Sequence, residues 1–188
     1  MLQLSTNEVY FFKELREAGV LEDVNGNRLN TSHGVILVTC ADGDQMGDIF
    51  TLQSGMTDRI HTLALNGGGL LLPLNSPANT IVAIAASGRF IRVGDVYMDQ
   101  IKAGMTLKVI KTVALHVHFP CGIAQLYNIP PLRLIDLLVQ AKTRIKDECA
   151  NIKVAAYVHI AWPDCRKRTY FISRDKWSAY CNSLLVAA

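Results

Sequence analysis

The chain has 188 residues, half of them hydrophobic, and a formal net charge of +3, which suits one domain with a substantial core and gives no sign of a second. Its basic residues are scattered except for Arg166, Lys167 and Arg168, so no broad phosphate-binding surface is expected and nucleic acid is excluded as a main partner. No apolar run reaches the ~20 residues that span a bilayer, and the start MLQLSTNEVYFFKELREAG lacks the basic, apolar and small-residue pattern of a signal peptide, so a cytoplasmic protein without membrane contact is expected.

In chain order, Glu8 to Ala18 reads as an amphipathic helix, with Val9, Phe12, Leu15 and Arg16 at helical spacing, Asn7 as cap and Gly19 beyond its end. Residues 1–30 are thus expected to form a helical arm, serving packing or dimer contact, and a polar loop from Asn25 to Ser32. Gly34 to Thr39 (GVILVT) is a continuous apolar run of the kind found in strands buried on both faces. Arg59 to Leu65 is a second strand, ending in Asn66-Gly67-Gly68-Gly69, where the backbone can turn sharply or approach a neighbour closely.

Thr80 to Ala86 (TIVAIAA) fits either a short strand or a buried helix, because periodicity does not separate the two. Gly94 to Thr106 is expected to be helical and Val109 to Val117 a buried strand, followed by His118-Phe-Pro-Cys121-Gly. After Pro130-Pro131, Leu132 to Cys149 carries Leu134, Ile135, Leu138, Ala141 and Ile145 on one stripe, a strong helix signal. Lys153 to Ala161 and Thr169 to Ser173 flank WPDCRKR, whose Pro-Asp pair marks a turn, so the basic triplet reads as a solvated hairpin tip. Strands alternating with helices, and apolar throughout, predict an α/β fold with a largely parallel central sheet flanked by helices.

Ligands of such sheets bind beyond the carboxyl ends of the strands, where both Cys40 and the pair His118, Cys121 are expected. Five cysteines, Cys40, Cys121, Cys149, Cys165 and Cys181, odd in number and widely spaced, fit a reducing compartment and leave thiols free for metal. Thiolate and imidazole at one point suit zinc. Taken alone, His-x-x-Cys describes a buried cysteine and a core histidine more often than a metal site.

The order of the pieces says more. Cys40-Ala-Asp42 after a buried strand, Asn66-Gly-Gly-Gly after the next, and His118-x-x-Cys121-Gly122 after a helix and a third strand together resemble the β-class carbonic anhydrases. The resemblance spans residues 34–175 as a β-carbonic-anhydrase-like core, with residues 70–92 longer than usual. It implies a zinc ion held by Cys40, His118 and Cys121, a fourth position carrying water that ionises and attacks carbon dioxide, and Asp42 orienting that water. It also implies assembly into a homodimer or larger even-numbered homo-oligomer.

Two departures fall in the catalytic apparatus. The family motif C-x-D-x-R requires arginine where this chain has Asp44, and a second family arginine is replaced by Leu65. Zinc with two thiolates and a neutral imidazole is formally neutral, so carboxylates without an arginine should raise the pKa of its water above the ~7 that zinc hydrolysis uses. Asp42 can instead become the fourth ligand of a closed, structural site. The expected function is therefore a zinc protein with weak or absent carbon dioxide hydration; the alternative is an active zinc lyase or hydrolase that hydrates carbon dioxide or a related small substrate with zinc hydroxide oriented by Asp42, and Arg59, Arg89 or Arg92 could re-enter the pocket to restore the lost pairing. His116, His61 and His159 are expected to pack in the sheet, His33 to lie in a loop, and Cys149, Cys165 and Cys181 to be ordinary thiols.

Overall fold

A computed structural model describes residues 2–25 and 31–187; most of the loop expected over 25–32 lies outside them. The first helix, α1 (Thr6–Glu17), is capped by Ser5 rather than Asn7. The Glu8 N–H donates to Ser5 Oγ at 3.3 Å and the Ser5 N–H to Glu8 Oε2 at 2.7 Å, the reciprocal capping box that Ser-x-x-Glu encodes. Its Phe12 and Leu15 are buried, and the chain then enters β1 (Leu21–Asp23), so the expected arm and loop also supply an edge strand.

Next come β2 (Val35–Thr39), α2 (Gly43–Ser54) and β3 (Ile60–Ala64), then a 3-10 turn over Gly68–Leu71. A separate hairpin, β4 (Ile81–Ile84) and β5 (Phe90–Arg92), leads into α3 (Val93–Lys108). The remainder is β6 (Thr112–Phe119), α4 (Gly122–Leu126), α5 (Pro131–Glu148), β7 (Lys153–Ala161), β8 (Lys167–Ile172) and α6 (Arg174–Ala187). The six-stranded sheet has the order β1-β8-β7-β6-β2-β3. Strands β3, β2, β6 and β7 are parallel, and β8 and β1 add an antiparallel edge.

Every residue of β2 and β6 is buried, as their mostly apolar runs predict for strands covered on both faces. On one face, Ile36, Val38, Leu115, Val117 and Val158 share a core with α1, with Met98 and Ile101 of α3 and with Leu134 and Leu138 of α5. On the other, Val35, Leu37, Ala114, Ala155 and Tyr157 cluster with Ile49 of α2. That second cluster is much smaller.

Three elements differ from the sequence reading. Helix α2 is missed by periodicity because its buried positions are Gln45, Ile49 and Gln53, a helical spacing in which only one residue is apolar. Helix α6 has the same difficulty: among its described residues Trp177 alone is fully buried, with Tyr180 and Cys181 packed partly against the core. The strand expected from Val109 starts at Thr112, since Val109 closes α3 with φ +56°, the left-handed conformation that ends helices. The ambiguous stretch 80–86 is a strand, and β4 is exposed along its whole length.

Arg144 of α5 fastens the helices to the turn region. Its largely buried guanidinium donates to the Leu72 carbonyl at 2.6 Å, to Asp95 Oδ1 at 2.8 Å and to Glu148 Oε1 at 2.7 Å. The two carboxylates are partly exposed and screened, so the carbonyl bond carries most of the effect. Arg144→Met should lower unfolding free energy by about 2 kcal/mol in urea titrations, and Arg144→Lys should restore little of it because an ammonium cannot span three acceptors.

Candidate metal centre

Three chain segments end at one point. Cys40 directly follows β2, His118 is the next-to-last residue of β6, and Cys121 caps α4. Their ligand atoms all lie within 4.8 Å of one another, and all three residues are buried. Neither ring nitrogen of His118 has a hydrogen-bond partner in the protein, although the side chain is 1% exposed. Burying an imidazole without a partner costs about 1–3 kcal/mol, and two sulfurs with one imidazole nitrogen form a set that zinc prefers. The residues therefore fit the ion.

The Asn66 to Gly69 turn builds the wall behind Cys40. The Gly67 N–H donates to Cys40 Sγ at 3.2 Å, a contact that favours thiolate. Gly68 has φ +48°, and a Cβ there would stand 2.5 Å from both the Cys40 nitrogen and the Thr39 carbonyl carbon; only glycine allows so close an approach. Tyr97 of α3 closes the same side, its buried hydroxyl hydrogen-bonded to the Leu63 carbonyl. Burial and the neighbouring Cys40 push that hydroxyl's pKa up.

The two thiols divide one proton. The neighbouring Cys121 thiol, with His118 and the Gly67 N–H, pulls the Cys40 pKa well below its ordinary value despite burial. Cys121, holding the proton against a thiolate and partly desolvated, is pushed up. At neutral pH the metal-free pair is thus one thiolate and one thiol. For folding without metal the signs oppose: the depressed Cys40 pKa contributes stability that is full above the unfolded thiol pKa and lost as pH falls through the folded value. Cys121 contributes stability present below the unfolded thiol pKa and lost above it.

Asp42 caps α2, its Oδ1 accepting the Asp44 N–H at 2.9 Å, while its Oδ2 lies 3.8 Å from His118 Nε2. Among the described residues no arginine pairs with it. Arg59 donates to the Lys108 carbonyl at 3.1 Å, Arg89 to Ser87 Oγ at 3.3 Å and Arg92 to the Asn79 carbonyl at 3.1 Å. Asp42 stands instead at the positive end of α2. Leu65 is exposed. Lys167 donates to the Asp44 carbonyl and pairs with Asp48 Oδ2 at 2.8 Å, so one member of the basic triplet ties the hairpin to α2 rather than standing free in solvent.

The sheet face beside the site is polar. His116 lies 3.0 Å from Gln53 Nε2 through its Nε2 and stacks on Tyr157 with ring centroids 4.7 Å apart. His159, level with His118 in the β6–β7 register, has its Nδ1 2.8 Å from Thr169 Oγ1. Burial pushes the His116 pKa down to about 3 and that of His159 down to about 4, so both are neutral members of the layer. His61 stands in β3 against Gly104 of α3 and His33 is exposed. Cys149 is buried, Cys165 exposed and Cys181 half-buried, apart from the site. Sequence reasoning missed Gln45 and Gln53, for which the signal was their shared helical face with Ile49.

No protein-family model matches the chain, and no curated protein matches it in sequence. Among solved structures, it is similar to the β-carbonic anhydrase CafD of Aspergillus fumigatus, with 10% identity, 81% of this chain and 99% of that chain covered, and a TM-score of 0.48. It is also similar to β-carbonic anhydrase isoform I of Trichomonas vaginalis, with 12% identity, 90% and 99% covered, and a TM-score of 0.43.

Two outcomes are expected. Gly68→Ala should separate the turn from β2, weaken zinc binding at least ~10-fold in competition with a chelator and cost about 2 kcal/mol or more in stability. Zinc uptake at pH 7, followed calorimetrically in buffers of different ionisation enthalpy, should release about one proton from the thiol pair; about two would mean that the cysteines titrate independently.

Proposed function

We propose that the chain is a zinc-binding, β-carbonic-anhydrase-like protein in which carbon dioxide hydration is weak or absent. The observation that carries this reading is the surroundings of Asp42: a carboxylate beside the Cys40, His118, Cys121 group and no arginine of the described chain upon it. Cys40, His118 and Cys121 would hold the ion, with Asp42 as fourth ligand. Zinc so bound supplies a Lewis acid that lowers the pKa of a coordinated water.

The chain's own charges work against that chemistry. Two thiolates already balance the ion, and Asp42 adds a third negative group whose only compensation is the partial charge of a helix terminus, about half an elementary charge. The second reading, an active zinc lyase acting on carbon dioxide and bicarbonate, has one observation in its favour: the Asp44 N–H fixes the Asp42 carboxylate without an arginine, which would leave its other oxygen to orient an attacking water. We further read the protein as cytoplasmic, on the strength of five free cysteines, and as a homo-oligomer without nucleic-acid partners. No described helix is long and apolar enough to cross a membrane.

Zinc absorption spectroscopy and stopped-flow hydration decide between the readings. The first expects about one zinc per chain, coordination indifferent to added anions, and anion sensitivity appearing in Asp42→Asn. It also expects no zinc-dependent hydration at pH 7, with any residual rate rising toward pH ~9.5. Zinc-dependent hydration at neutral pH that is lost in Asp42→Asn establishes the second reading instead.

A further inference from the structure

We propose that the β4–β5 hairpin is a self-association edge, on which β4 of one copy pairs antiparallel with β4 of a second copy of this chain. The inference gives an interface to the homo-oligomer read above and is independent of zinc and its chemistry.

The hairpin stands apart from the main sheet, and among the described residues β4 pairs with β5 alone. Its base is firmly built. Asn79 donates to the Pro73 carbonyl at 3.1 Å, accepts the Gly94 N–H at 2.9 Å and offers its carbonyl to Arg92 at 3.1 Å, while the Val93 N–H reaches the Thr80 carbonyl at 2.9 Å. Above that base the large side chains face water: Ile81 is 49%, Val82 55%, Ile84 66% and Phe90 63% exposed. A two-stranded ribbon without a covered face is marginal by itself. The base holds it out nonetheless.

The two edges of the ribbon differ in charge. No Asp, Glu, Lys or Arg occurs from Ile60 to Gly88, whereas β5 is flanked by Arg89 and ends in Arg92. Charged residues and prolines are what keep edge strands from pairing, so β5 carries such guards and β4 carries none. A patch on the order of a few hundred Å² falls short of the ~800 Å² per partner of a standard interface. Face contact alone is therefore too small, and backbone pairing along the free edge is the arrangement that adds to it.

The occupant follows from the sequence of the edge. Antiparallel pairing centred on Ala83 sets Val82 opposite Ile84 of the second copy and Ala83 opposite its own counterpart, so β-branched residues meet each other and the small residue meets itself. A two-fold contact uses the same patch twice, and an uncharged edge meets its own kind without repulsion. A charged partner segment would find no counter-charge on β4.

Sedimentation velocity from about 1 to 200 µM, with zinc present, tests this. Wild-type protein should reach the mass of two chains or an even multiple, and the double variant Val82→Lys, Ile84→Lys should raise the dissociation constant at least ~100-fold with unchanged helix content and zinc stoichiometry. A variant that assembles like the wild type overturns the hairpin interface while leaving the homo-oligomer standing; a wild type that stays single throughout overturns both. If the variant loses its fold, amide exchange of the wild type decides: protection of residues 81–84 that grows with concentration supports the edge, and protection independent of concentration sinks it.

Discussion

The metal centre depends on a contact between two backbones. Gly68 lies so close to the Thr39–Cys40 peptide that a single methyl group would stand 2.5 Å from two of its atoms. This approach sets the depth at which β2 ends, turns the Gly67 N–H onto the Cys40 sulfur, and leads the chain into the buried turn that continues to Leu72. Tyr97 reaches the Leu63 carbonyl and Arg144 the Leu72 carbonyl, so α3 and α5 each grip this region from one side. The sheet supplies the positions of the strand ends, and the glycine turn fixes the one that carries Cys40.

Around that fixed point the electrostatics are economical in positive charge. Cys40 keeps its thiolate through N–H and S–H donors and the neighbouring imidazole. Asp42 keeps its place through a helix amide. Nearby Lys167 is engaged by Asp48 and a carbonyl. The group thus combines closely held side chains with little positive charge beside them.

Much of this was legible in the residues. The parallel strands were visible because burial on both faces leaves them mostly apolar, and the three candidate ligands because each lies within two residues of the end of such a run. What escaped was polar. Helix α2 buries two glutamines for one isoleucine, and no hydrophobic period marks it; its cap, Asp42, was read only as a site residue. The Ser5 cap was signalled by Ser-x-x-Glu and passed over for the nearer Asn7. The fate of Arg59, Arg89 and Arg92 rested on long-range geometry, which local pattern does not encode. The glycine run gave a turn, but its target, the Cys40 backbone, is a tertiary fact.

Helix α2 has one more property. It holds its sheet through Ile49 and two glutamines, one of them spent on His116, whereas α1, α3 and α5 cover the opposite face with many buried apolar side chains. Segments with few buried apolar contacts open at the lowest free energy in a fold. The first turn of this lightly held helix is also the anchor of Asp42. Opening α2 and releasing the Asp42 carboxylate from its place beside His118 are therefore a single event, so the polar neighbour of the Cys40, His118, Cys121 group is only as steady as the first turn of a lightly held helix.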